Sequence, residues 1–330
     1  MAGASSDPIA FVEAAYRVEV PTASWLSGIV DAARATLDQG MGVTAMLYDA
    51  TDVARMRILA VEGTGGGRAE ALARAIERGA PERIRWTFRT SACRVASEGP
   101  DWETTPARLL FAKWGIEDVL CANGVDPTGI GCFLTAPLAR RRRLSVAARS
   151  RWERVAAHLA AGYRLHRRIA QSAPPPEVTL DAVGRLLDGP AEVTEKEARR
   201  GLREAVRAMD KARGRARRTA PDEALEGWKA LVDARWTLLD HFDSDGRRFV
   251  VARRNTSDVP DAAELTERER QVLAYAALGH TNKLVAYELG IAASTVRVLF
   301  ARAAKKLGAS SREDAVARFV QRTAALTRVP

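Results

Sequence analysis

Apolar positions along the 330 residues follow two rhythms, one helical and one strand-like. Residues 24–38 carry Trp25, Ile29, Ala32, Ala33 and Leu37 at helical spacing. "GVTAMLYDA" and "MRILAVEG" read as strands joined by a polar turn around Asp49 to Arg55. "GRAEALARAIERG" reads as a helix ended by Gly79. "EDVLCANGVDPTGIGCFLTAPL" reads as a hairpin turning at Asp126-Pro127-Thr128-Gly129. A long helix follows over 145–170, with Trp152, Val155, Leu159, Tyr163 and His166 on one stripe. That stripe suits either a dimeric coiled coil or the packing face of its own domain.

The middle of the chain opens on a strand-like "VTLDAVGRLLDG". A charged helical segment over 194–217 and a second helix over 221–233 come next. "RWTLLDHFDSDGRRFVVARRN" closes the region as a hairpin about Ser244-Asp245-Gly246. Four short helices then fill "LTERERQVLAYAALGHTNKLVAYELGIAASTVRVLFARAAKKLGASSREDAVARF", with a cap at nearly every start. Thr266 and Glu269 form a capping box, Thr281 caps the second helix after Gly279, and Ser310 with Glu313 is expected to cap the fourth. Ala286 is small, Gly290 supplies a tight turn, and Val296 plugs the core six residues later. That is the spacing of a helix-turn-helix.

Two breaks divide these patterns. Pro174-Pro175-Pro176 stops both helix and central strand, and turn formers cluster in "RRNTSDVPDAAE" over 253–264. The expected domains are therefore 1–173, 177–254 and 261–330, in a multidomain α+β chain that ends in an all-α four-helix unit. Charge changes this picture at one end. Of the net +10, residues 261–330 contribute +4 from 11 basic and 7 acidic residues, the highest density in the chain, which fits a polyanion partner. Cys93, Cys121 and Cys132 lack metal or disulfide spacing and read as reduced thiols. No apolar run reaches the ~18 residues of a membrane span, and the start lacks the pattern of a signal peptide. The expected location is cytoplasmic, at the nucleoid when bound to DNA.

The segment Leu265–Phe319 resembles the LuxR-type (LuxR/GerE) helix-turn-helix domain of bacterial transcription regulators. The shared residues are "LTERERQVL" (265–273), Gly279 to Ile291, Thr295-Val296-Arg297 and Lys306-Leu307-Gly308. The resemblance implies sequence-specific binding of double-stranded DNA, usually as a homodimer, under the control of upstream domains, with RNA polymerase as a further candidate partner. Three positions depart from the family: Ala292 where Ser often caps, Leu299 where His is common, and Leu284 where an acid is common. A missing cap costs ~0.5–2 kcal/mol. By order and length, residues 1–173 resemble a GAF-type sensory domain, and 177–254 is similar to a small PAS-like α+β domain. A receiver domain is not expected, because no fivefold strand–helix alternation is present.

Rotating about 100° per residue from Val296 places Leu299, Phe300, Ala303 and Leu307 inside. Ser294, Thr295, Arg297, Val298, Ala301, Arg302 and Lys305 remain for DNA along helix 293–307. Arg297 suits guanine O6 and N7, Val298 and Ala301 suit thymine methyls, and Arg302 and Lys305 suit phosphates. Thr281, Asn282 and Lys283 open the second helix, where free N–H groups favour a phosphate. By the resemblance, Arg297 and Val298 match base-contacting positions, whereas Ala301 matches a position often polar or basic.

Other signals carry less. "VEGTGGGRAEALARAI" lacks both phosphate-loop patterns, since Glu70 stands where a third glycine is needed. "DSDG" lacks the later ligands of a calcium loop, and the four histidines show no metal spacing. The run Arg140–Arg143 reads as a solvated loop between a strand and a helix. No catalytic constellation, metal site or cofactor is expected. The alternative is a protein-interaction or scaffold module in which DNA binding is secondary.

Overall fold

The computed structural model describes residues 7–90, 93–172, 177–190, 193, 196–228, 236–242, 246–255 and 265–326. Helices α1 (Pro8–Ala15) and α2 (Thr22–Leu37) precede β1 (Thr44–Asp49) and β2 (Arg57–Gly63). Then come α3 (Arg68–Glu77), α4 (Pro81–Phe88), β3 (Cys93–Val95), α5 (Pro106–Lys113), β4 (Asp118–Val125), β5 (Ile130–Leu138) and the long α6 (Val146–Ser172). The five strands form one antiparallel sheet in the order β2-β1-β5-β4-β3. Both expected hairpins are present. The short helices α1, α4 and α5 carried no strong sequence signal, and each holds a proline in its first turn.

Alternation along β1 sends Ala45 and Leu47 toward α1, α2 and α6, and Met46 and Tyr48 toward α4 and α5. The stripe on α6 is filled by this domain's own core. Trp152 meets Phe11 edge-on with centroids 5.0 Å apart, and Tyr163 and His166 stack on Trp25. A coiled coil between copies is therefore not what that stripe serves. Its histidine is structural: His166 Nδ1 bonds Val18 O and Nε2 bonds Thr22 Oγ1, each at 3.0 Å. Gly124 lets β4 approach α6 closely, because a Cβ there would lie 2.7 Å from the Ala156 carbonyl oxygen. Cys93, Cys121 and Cys132 are free and buried, and burial pushes the Cys121 and Cys132 thiols up to about 12.

The second sheet runs β7 (Leu186–Asp188), β6 (Val178–Asp181), β9 (Arg248–Arg254) and β8 (Trp236–Phe242), all antiparallel. The expected single strand at its start is a small hairpin, bent at Gly184. Between the hairpins lie α7 (Lys196–Arg213), α8 (Ala216–Thr219) and α9 (Pro221–Gly227). The charged segment becomes two helices because the chain turns at Gly214. The helix expected over 221–233 stops at Gly227, since Trp228 leaves helical geometry and drops into the core, 4% exposed; residues 229–235 lie outside the described residues. So do the triple proline and most of the 253–264 break.

Leu202, Val206, Met209 and Ala212 of α7 pack over Val178, Leu180, Val250 and Ala252, and this core is continuous with that of the first sheet. The opposite face of the second sheet, through Leu239 and Val251, meets Leu165 of α6. Ion pairs reinforce the join: Arg217 binds Asp7 and Glu13, and Arg253 binds Glu19 at 2.9 Å. The chain ends in α10 (Glu267–Ala277), α11 (Asn282–Leu289), α12 (Ala293–Lys306) and α13 (Arg312–Leu326).

Candidate nucleic-acid interface

The C-terminal helices are fixed by local chemistry. Thr266 Oγ1 accepts from Glu269 N while Glu269 Oε2 accepts from Thr266 N, closing the expected capping box. Lys306 Nζ donates to the same carboxylate at 2.7 Å, tying the end of α12 to the start of α10. Burial alone would raise the Glu269 carboxyl, but Lys306 and the Thr266 donors together hold it below its ordinary value. Thr281 Oγ1 accepts from Leu284 N, and Gly290 ends α11 at φ 65°. The cap of α13 differs from expectation. The helix begins one residue later, so Ser311 Oγ accepts from Asp314 N, and Ser310 N donates to Asp314 rather than engaging Glu313.

The chain bends by 104° between α11 and α12, within the range of a helix-turn-helix. Val296, Ala303 and Leu307 are buried and Leu299 and Phe300 half-buried, as the helical rotation requires. Ser294, Thr295, Arg297, Val298, Ala301, Arg302 and Lys305 lie together on the exposed face. Val298 is 50% exposed, an apolar side chain left in water on this side of the helix. No ion pair among the described residues takes up Arg297, Arg302 or Lys305, so the face keeps its positive charge. Helix α12 starts at Ala293 with Ala292 before it and no side-chain cap, as the sequence implies.

The start of α11 is more constrained. Thr281 and Lys283 are exposed, but Asn282 Oδ1 accepts from Arg312 Nη1 at 2.8 Å. Arg312 also donates to the His280 carbonyl and covers the Phe300 ring at 4.7 Å. Asn282 therefore braces α13, with its amide N–H groups left for a ligand.

Sequence reasoning missed where this unit sits. Along α6 a second face, Arg154, Ala157, Ala161 and Arg164, is covered by the C-terminal helices. Leu284 and Tyr287 pack on Ala156 and Ala157. Four residues, Tyr16 just after α1 and one each from α6, α11 and α9, join in one hydrogen-bond chain: Tyr16 to His158 Nδ1 at 3.0 Å, His158 Nε2 to Tyr287 at 2.6 Å, and Tyr287 to the Leu225 carbonyl at 2.8 Å. One neutral tautomer satisfies all three, with Nε2–H donating and Nδ1 accepting. Burial lowers His158 to about 3, which keeps it neutral. Deeper in the seam, Glu288 and His280 are both buried, with Oε1 and Nδ1 4.0 Å apart. Burial raises Glu288 to about 8 and lowers His280 to about 4, so this is a contact between neutral groups and not an ion pair.

Leu284, where the resembled family often carries an acid, is thus an interface residue at 7% exposure. Leu284→Glu is expected to lower stability by about 2–4 kcal/mol, since it removes apolar burial and sets a carboxylate against Ala157. Thermal denaturation, with hydrogen exchange read in α6 and α11, checks this; unchanged protection in both helices would mean the seam contributes nothing.

Among the described residues no group of three His, Cys, Asp or Glu side chains is placed to hold a metal ion, and no single helix is long and apolar enough to cross a membrane. Residues 263–319 match the family model GerE, described as bacterial regulatory proteins of the luxR family. With this match, the bent helix pair and the exposed basic face, the chain carries the DNA-binding domain of a luxR-type bacterial transcription regulator.

Proposed function

We propose that the protein is a sequence-specific transcription regulator whose α12 enters the major groove. In this reading Arg297 donates to guanine, Val298 and Ala301 touch thymine methyls, and Ser294 and Thr295 lie against the groove wall. Arg302 and Lys305 contact phosphates, as do Thr281, Asn282 and Lys283 at the start of α11. The observation that carries this is the exposed positive face of α12, whose Arg297, Arg302 and Lys305 join no ion pair among the described residues, presented by a 104° helix-turn-helix. A single head offers few polar contacts to bases, so useful selectivity calls for two heads on a two-fold site, hence a homodimer. The upstream α+β regions, GAF-like and PAS-like in their order of elements, set the position of each head through the seam between α6 and α11.

Selection of bound sequences from random duplex DNA by the full chain, followed by salt titration, tests the reading. The expected outcome is an enriched motif with two-fold symmetry. Log affinity should fall against log salt with a slope of about −0.9 per phosphate contacted. No enriched motif, or affinity indifferent to salt, overturns it. Sedimentation with and without the selected DNA should show two chains per site, and one chain per site at every concentration would remove the dimer.

A further inference from the structure

One sequence feature remains unused, the run Arg140–Arg143. We propose that it is a second contact for the DNA backbone, engaging phosphates that flank the site read by α12; this rests on the DNA-binding reading above. The placement of α6 carries the argument. Early residues of α6, Ser150, Glu153 and Arg154, share a cleft of about 390 Å³ with Thr281, Lys283 and Ala293. One turn further along, His158 bonds Tyr287 of α11. Arg154 also lies over the Tyr287 ring at 5.7 Å, so the first turns of α6 sit directly against the helix-turn-helix. Helix α6 begins at Val146, about 10 Å before the level of Glu153 at 1.5 Å per residue. The arginine run stands just ahead of that start. It is thus separated by only a few residues of chain from the cleft that Thr281 and Lys283 line beside early α6.

The local charge is selective. Every arginine from 140 to 143 is exposed. Nearby carboxylates are already paired: Glu98 with Arg149, Glu103 with Arg141 and Arg108, Asp222 with Arg151, and Glu226 with Arg154. Glu153 lies between the charges of Arg149 and Arg154. No ion pair among the described residues takes up Arg140, Arg142 or Arg143. Three guanidinium groups ahead of α6, and Lys283 at the start of α11, therefore face solvent. A polyanion fits them, because arginine recognises phosphate through paired donors. The exposed connection lets the side chains adapt to either strand, and it supplies affinity without reading bases.

The test uses the full chain. R140Q/R142Q/R143Q leaves Arg141 on Glu103, and R55Q/R74Q/R78Q removes the same charge from exposed positions on the other side of the first sheet. Relative to that control, the first triple variant is expected to bind selected and random duplexes about tenfold more weakly. Its salt slope should be shallower by about 2–3, one contact per arginine. Preference for the selected site should not change. Phosphate-ethylation interference should show flanking contacts in the parent that vanish in the variant. If the two triple variants behave alike while the parent binds with a steep slope, the second contact is wrong and the DNA reading stands. If the parent itself shows no salt-dependent binding, both fall.

Discussion

Alanine at Arg297 is expected to erase most of the preference for the selected site while leaving affinity for random DNA nearly intact. The side chain is exposed on the outer face of α12, in no ion pair among the described residues, next to Val298 and Ala301, which cannot donate. A bidentate arginine–guanine pair is worth about 1–3 kcal/mol of discrimination, or roughly 5- to 150-fold per head. On a two-fold site both heads lose it. Affinity for random duplex rests instead on phosphate contacts assigned to Arg302, Lys305 and the start of α11. Competition mobility shifts between selected and scrambled duplexes measure the ratio. An undiminished ratio would sink the base-reading role of Arg297 and shift specificity onto DNA shape.

Glu288→Gln is expected to stabilise the protein, and more so as pH rises. The folded carboxyl is raised by burial to about 8 from an ordinary 4.5, against the opposing pull of Arg164. The native state therefore holds the proton more tightly than the unfolded chain. Its stabilising contribution is complete below pH 4.5 and is lost as pH climbs through 8. Glutamine stays neutral throughout. The gap between variant and parent should be small near pH 4.5 and grow to the order of 5 kcal/mol by pH 8, at 1.36 kcal/mol per pKa unit. His280 and His158 act in the other direction. Lowered to about 4 and about 3, they support the fold above pH 6.5 and withdraw that support as pH falls through those values. Melting temperatures at pH 5, 7 and 8.5 settle the sign, and parallel curves for the two proteins would show that Glu288 carries no excess proton.

Local rules made the C-terminal unit legible. Caps at Thr266 and Thr281, the turn at Gly290 and the inward set centred on Val296 depend on neighbours within a few residues, so pattern and structure agree. Both hairpins of the first sheet were legible for the same reason: alternation and turn chemistry are short-range. The cap of α13 slipped by one residue because Ser310, Ser311, Glu313 and Asp314 offer two overlapping registers.

The seam was not legible because no periodic signal marks it. The covered face of α6 is Ala157 and Ala161 between Arg154 and Arg164, two small residues framed by charges, which read as a solvated face. Its partners Tyr287 and Glu288 occupy positions where the helix-turn-helix pattern admits any residue. Leu284 gave the one hint, as an apolar residue where an acid is common. Alone it could signal a lost cap as well as a buried contact.

Because α6 is a single helix of 27 residues with both long faces occupied, it cannot yield on one side only. A displacement of Trp152 against α1, or of Tyr163 or His166 against α2, is expected to be carried by the backbone to Ala157, Ala161 and Arg164, and so to α11. The rod acts as a camshaft. In the proposed reading, a small rotation of this rod, imposed where the first sheet is packed, would re-aim the helix proposed to enter the groove.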